Sequence, residues 1–339
     1  MNALLSLFSP RHGPPLFLAL LFSLPVPGAA SPDPKPLSNP DASLEARAVY
    51  DYLCSLRGKA MLSGQQEWEN NPPGEPEELK YIQQTTGKLP AILGLDYIRY
   101  EGVTDRAIEW WQRGGLPSIC WHWGAPTRGI GYEASKLPID LDEVLTPGSA
   151  LNQAMMADLD RTAQELTRLR DARVPILWRP LHELNGDWFW WGKGTPEHFK
   201  RLWRLMYETY THRYKLNNLI WVLGYTSKPD PAWYPGDEFV DIAGADNYRA
   251  GTQHAMFEGV AKIVGARMPI VYHECGPIPD PDEMIADGTA WSWFLTWHTI
   301  HLKKQNTADY LKKIYHHPYV ITLDRVPPLT RSGPGSAAR

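Results

Sequence analysis

Eight short, continuously apolar runs separated by amphipathic segments leave this chain few folds to choose from. The runs are Ala60–Ser63, Ala91–Leu95, Pro117–Trp121, Pro175–Trp178, Leu219–Leu223, Val240–Ala243, Pro269–His273 and Trp291–Thr296. Strands of this kind, without polar alternation, belong to parallel sheets covered on both faces. Several begin after proline, which a strand tolerates at its first residue. Between them, Asp158–Leu169 carries apolar residues at three- and four-residue steps, and Thr195–Pro196–Glu197 reads as a helix start with Thr at the N-cap and Pro in the first turn. Further helices fit Pro76–Thr85, Asp105–Arg113, Gln253–Gly265, Pro281–Asp287 and Ala308–Tyr315. The weakest candidate follows the fifth strand, where Pro229, Pro231 and Pro235 crowd together. Strict alternation predicts an α/β fold, a single (β/α)8 TIM barrel over residues 42–326. An open doubly wound sheet is the alternative, but no Gly-rich phosphate loop follows the first strand and no GxxxxGK pattern occurs. A length of 339 residues is compatible with one barrel.

The ends read differently. Arg11 and His12 precede the apolar run Leu16–Leu24, and Gly28 and Ala30 occupy the small-residue positions of a cleavage site. Residues 1–30 are therefore expected to be a signal peptide, too short in its apolar part to span a bilayer, and the protein to be secreted, extracellular or periplasmic. Residues 31–41 read as a stiff Pro-rich leader and 327–339 as a flexible tail. Three cysteines, Cys54, Cys120 and Cys275, make no disulfide framework. A net charge of −4 gives no footprint for nucleic acid or for an anionic membrane surface, so a neutral polymer or small molecule is the expected partner. The chain is expected to act as a monomer. Its 15 tryptophans serve either a core or flat, neutral ligands such as sugar faces.

Two segments carry chemistry. The first, Trp178–Gly192 (WRPLHELNGDWFWWG), starts in the fourth strand and places Arg179, His182 and Glu183 at the strand's C-terminal end, where barrels of this class build active sites. His182–Glu183 would open a zincin motif only with a second His where Gly186 stands, so neither metal nor cofactor is expected. The second, Pro269–Gly276, ends an apolar strand in Glu274, a carboxylate costly to bury without partner or function. Two glutamates at the ends of strands four and seven suit retaining glycoside hydrolysis, which needs the carboxyls about 5–5.5 Å apart. The plainer alternative makes them structural ion-pair partners of Arg179 or Arg249. Asp230, Asp237 and Asp241, among Pro and Gly, read as turn residues.

Over residues 45–320 the chain resembles the β-mannanases of glycoside hydrolase family 26, in the clan of (β/α)8 retaining enzymes. The motifs are LSGQQ (62–66), CWHW (120–123), WRPLHELNGDWFWWG (178–192), DNY (246–248), HECG (273–276) and TWH (296–298). The resemblance implies Glu183 as acid/base and Glu274 as nucleophile. It implies His122 and His182 at the cleavage subsite, Trp297 as its floor and Trp188 on the leaving-group side. Arg179 and Tyr248 would keep Glu274 ionised, with Asp246 supporting them, and Glu183 would need a raised pKa. The implied substrate is β-1,4-linked mannan, glucomannan or galactomannan, or manno-oligosaccharides. The same machinery on β-1,3-xylan or mixed-linkage β-glucan is the nearer rival, and a non-catalytic carbohydrate-binding relative the more distant one. Trp121, Trp123, Trp190 and Trp191 fit core and sugar contact equally.

Overall fold

Each apolar run forms a buried parallel strand: β1 (Met61–Gln66), β2 (Ile92–Asp96), β3 (Leu116–Cys120), β4 (Ile176–Arg179), β5 (Leu219–Tyr225), β6 (Ile242–Asn247), β7 (Ile270–Cys275) and β8 (Trp293–Thr296). Neighbours pair in chain order, and β8 returns to β1 with Leu62 opposite Trp293 and Gln65 opposite Thr296, so the sheet closes into a barrel. The structure, a computed structural model, describes residues 33–68 and 77–329. The segment read as a signal peptide lies outside the described residues, as do residues 69–76 and 330–339.

Helices at Glu77–Thr86, Val103–Gln112, Ala150–Asp171, Pro196–Glu208, His254–Val264, Pro281–Asp287 and Ala308–His316 follow the expected segments closely. Thr195 caps its helix as expected, its side chain accepting the His198 N–H with Pro196 in the first turn. Between β5 and β6 the chain makes only two 3₁₀ turns, Pro231–Trp233 and Asp237–Phe239, because the prolines lack the N–H that a longer helix needs.

Several elements among the described residues were not anticipated, two of them next to β1 in the chain or in the sheet. A helix, Leu44–Leu56, precedes β1, capped by Ser43. A two-residue strand, β9 (Val320–Ile321), pairs with Met61 and Leu62 at the start of β1. There the Ser63 hydroxyl donates to the Ile321 carbonyl (2.8 Å) and accepts the Ala91 N–H (3.1 Å), stitching the barrel's N-terminal end.

The leader is bonded to that same end. Lys35 Nζ donates to the Val240 carbonyl (2.8 Å) and sits 3.8 Å from the buried Asp241 carboxylate. Asp241 is thus no exposed turn residue, since it accepts the Ser38 and Trp221 N–H groups and joins the leader to β5. At the other terminus Leu329 packs partly buried against the core. Trp121, Trp123, Trp190 and Trp191 are all buried, and with Trp178, Trp203, Trp221 and Trp293 they fill the core around the strands.

Candidate active site

Because all eight strands are parallel, their C-terminal ends share one rim. The loop after β4 is set there by its own small residues. Leu181 and Glu183 adopt left-handed backbone, with φ of 51° and 50°. Such conformations cost a side-chain-bearing residue roughly 1–3 kcal/mol and persist where the surroundings impose them. Here the Leu184 N–H donates to the Gly224 carbonyl (3.1 Å), and Asn185 bridges the Thr226 N–H (2.9 Å) and the Lys228 carbonyl (2.7 Å), tying the turn to β5 and its loop. At Gly186 a Cβ would stand 2.6 Å from the Trp188 ring, so glycine is what lets the indole lie on the backbone. Trp188, 37% exposed, then donates from Nε1 to Glu183 Oε2 (2.6 Å). Behind it, the Trp191 Nε1–H holds the His182 carbonyl (2.9 Å) and Trp190 holds that of Trp123 (2.9 Å).

The second carboxyl depends on an irregularity in β7. Against β6, Ala245 pairs with Tyr272 and Asp246 with Glu274, leaving His273 as the extra residue of a bulge. In a regular strand His273 and Glu274 would point to opposite faces. The bulge lets one guanidinium reach both. Arg179 Nη1 lies 3.1 Å from Glu274 Oε1 and 3.2 Å from His273 Nδ1, Nε donates to Ser118 Oγ (2.9 Å), and Nη2 donates to Gln66 Oε1 (3.1 Å). Tyr248 donates its hydroxyl to Glu274 Oε2 (3.0 Å). The His273 ring occupies a slot opened by glycine: a Cβ on Gly224 would fall 2.7 Å from two of its ring atoms. Asp246 meets this ring, Oδ1 to Nδ1 at 2.8 Å, so its link to Arg179 runs through His273.

On the β2–β3 side, His122 Nδ1 is bonded to Asp96 Oδ2, and His122 Nε2 lies 3.3 Å from His182 Nε2. The Trp297 ring stands 6.0 Å from the His122 ring, edge to face. All nine residues singled out from the sequence, Glu183, Glu274, His122, Arg179, His182, Trp188, Tyr248, Trp297 and Asp246, therefore lie on this rim. Four more were not given a role there. Gln66 and His273 stood inside quoted motifs, Asp96 ends an apolar strand in a carboxylate just as Glu274 does, and Ser118 left no signal.

Burial pushes the Glu183 carboxyl well above the usual range, and the nearby Asp246 and Glu274 charges add to it, against the Trp188 hydrogen bond and His122. Burial and Asp246 also raise Glu274, but Arg179, His273 and His122 oppose them. Arg179 and Tyr248 thus do not pull Glu274 below its ordinary range; Arg179 keeps it below Glu183, so Glu183 holds its proton to higher pH. Burial drives His182 and His273 well below the imidazole range and keeps both neutral.

Two triads, Asp96–Cys120–His122 and Asp246–His273–Glu274, bring donor atoms within 4.8 Å of one another. Their donors already pair internally, and Arg179 against Glu274 places a fixed positive charge where a cation would sit. The second triad does not fit a metal.

A closed barrel with two carboxyls of unlike environment on its C-terminal rim, framed by exposed tryptophan, has the layout of a sugar-cleaving hydrolase. The model of glycosyl hydrolase family 26 matches residues 38–325, and the chain belongs to that family. It is 37% identical over 317 residues to a mannan endo-1,4-β-mannosidase of Thermothelomyces thermophilus, covering 86% of this chain and 63% of that protein. Among solved structures, the GH26-CBM35 β-(1,4)-mannanase of Podospora anserina superposes with a TM-score of 0.83 at 32% identity, over 90% of this chain and 71% of that one. A β-mannanase from a symbiotic protist of the termite Reticulitermes speratus, complexed with gluco-manno-oligosaccharide, gives 0.81 at 31% identity over 87% and 99%. The chain spans between half and two thirds of the length of the first curated relatives it matches.

Proposed function

We propose that this chain is a secreted endo-β-1,4-mannanase that cleaves mannan, glucomannan or galactomannan with retention of anomeric configuration. The observation that carries the mechanism is the unequal setting of the two rim glutamates. Only Glu274 has a guanidinium and a phenol on its oxygens, whereas Glu183 faces an indole N–H. In the first step Glu183 gives its proton to the departing glycosidic oxygen while the Glu274 carboxylate bonds to the anomeric carbon. In the second, the Glu183 carboxylate takes a proton from water, whose oxygen displaces Glu274 and restores both groups. The Trp188 bond to Glu183 Oε2 leaves Oε1 for the proton transfer. Trp297 beside His122 supplies an apolar face under the sugar, and exposed Trp188 a second one on the leaving-group side. The mannan preference rests on the named activities of the relatives, and export on the N-terminal sequence pattern.

The test is time-resolved product analysis on unsubstituted β-1,4-mannan, with NMR of the first anomer released. A spread of oligosaccharides in the β-anomer is expected. An α-anomer would overturn the double displacement. Cleavage of β-1,3-xylan or mixed-linkage β-glucan in place of mannan would overturn the substrate. Glu274→Ala should abolish turnover with the fold intact, and cell fractionation with N-terminal sequencing should find a processed extracellular protein.

A further inference from the structure

Asp96 ends β2 directly beneath the cleft and has no part in the chemistry above. Its Oδ1 accepts the backbone N–H groups of Ile98 (2.8 Å) and His122 (3.0 Å), and its Oδ2 is bonded to His122 Nδ1. An ionised carboxylate only accepts, so His122 Nδ1 carries a proton. That leaves His122 Nε2, whose partner is Nε2 of His182, the residue before Glu183. One proton must lie between those two nitrogens. Burial holds the His182 imidazole down and neutral; burial also pushes His122 down, but Asp96 outweighs it and raises His122. The shared proton therefore sits on His122, His182 Nε2 accepts, and the neutral His182 ring keeps its own proton on Nδ1. The other groups around His122 do not compete for this assignment. They are the rings of Tyr132, Phe189 and Trp297, the Glu183 and Glu274 carboxyls, and neutral His298.

We propose that Asp96 is a positioning residue for the hydrolysis: through His122 it fixes the orientation and protonated nitrogens of the His122–His182 pair beside Glu183, and the chemical step depends on it although it touches no sugar. The role rests on the hydrolytic reading of the site.

Asp96→Asn tests it directly. The amide oxygen still accepts from the two backbone N–H groups, but the NH2 now faces His122 Nδ1 and requires that nitrogen to accept. The His122 Nδ1 proton must leave, so the ring keeps only its Nε2 proton and loses its positive charge beside Glu183. The expected result is a fall in kcat of at least about ten-fold with KM within about two-fold; the same swap beside a catalytic histidine costs ~10⁴-fold. In a His122→Ala background Asp96→Asn should have no further effect, because the pathway it acts through is gone. Imidazole ¹⁵N spectra should show His122 Nδ1 protonated in the native chain and unprotonated in the variant. Losses that multiply in the double variant, or an unchanged His122 spectrum, overturn the proposal. An inactive native chain would instead overturn the hydrolytic reading, and the ring spectra keep the two failures apart. If the Asn chain does not fold, Asp96→Ser, which removes the charge and keeps a short acceptor, takes its place in the same cycle.

Discussion

Glu183→Gln should abolish the proposed hydrolysis and at the same time stabilise the chain, by an amount that grows with pH. The sign follows from linkage. Burial raises the folded-state pKa of Glu183 well above its ordinary value of 4.5. A group raised on folding contributes stability that is fully present below its unfolded pKa and is lost as pH rises toward the folded one. Above pH 4.5 the unfolded chain ionises Glu183 freely, whereas the folded chain must keep the proton. Each pH unit over which it does so costs about 1.4 kcal/mol. Wherever the folded chain keeps a proton that the unfolded chain has lost, the native glutamate costs stability, and glutamine, neutral in both states, costs none of it. Gln also keeps an acceptor for the Trp188 N–H. With an unfolding entropy of about 2.1 cal/mol/K per residue, each kcal/mol so regained should raise Tm by about 1.4 °C in a chain this size. Urea denaturation and calorimetry of both proteins between pH 4 and 7 read the difference. It should vanish near pH 4 and widen steadily above. A flat difference, or a variant less stable at pH 6.5, would mean that folded Glu183 ionises normally and would remove the basis for assigning it as the acid.

Arg179→Met should cost roughly 3–5 kcal/mol in urea denaturation, because it leaves the buried Glu274 carboxylate without its cation. With that cation gone Glu274 should ionise at higher pH, moving the acidic limb of kcat/KM upward; an unmoved limb would show that Arg179 does not order the two carboxyls. Gly224→Ala sets a methyl 2.7 Å from the enclosed His273 ring and should destabilise by about 1–3 kcal/mol while lowering kcat, whereas an undisturbed kcat would show that the ring can move without Glu274. Lys35→Met removes the donor to the Val240 carbonyl and the partner of Asp241, and should cost about 1–3 kcal/mol with kcat unchanged, since the leader bonds at the opposite end of the barrel. A loss of activity there at full stability would contradict that separation.

The barrel was legible because burial on both faces writes itself into sequence as uninterrupted apolar runs, and all eight marked their strands within a few residues. The missing helix after β5 was half legible, in prolines that argue against a helix but do not specify two 3₁₀ turns. β9 was illegible because two residues carry no period, and the strand it pairs with lies at the other end of the sequence. Asp241 misled because an acid among Pro and Gly ordinarily makes a turn; its buried partners come from the leader and from β5. The bulge in β7 was equally hidden. Periodicity alone puts His273 and Glu274 on opposite faces, and only the pairing with β6 shows that both meet Arg179.

That bulge is what makes two chemically identical glutamates unlike. Asp246, Glu183 and Glu274 crowd one low-dielectric rim, where burial raises all three, Asp246 raises both glutamates and Glu274 raises Glu183. Which one yields its proton first depends on where the single guanidinium lies. Arg179 is anchored by Ser118 and Gln66 on the β1 and β3 side, and the displaced His273–Glu274 step brings one carboxyl within 3.1 Å of it. Glu183, on the loop beyond Arg179's own strand, faces an indole instead. Once Glu274 is ionised, its charge raises Glu183 further. A second arginine beside Glu183 would lower both carboxyls together and, in the proposed double displacement, leave a nucleophile with no proton donor. The asymmetry of one cation between two acids is thus a requirement of the proposed chemistry, and the extra residue in β7 is the backbone feature that accompanies it.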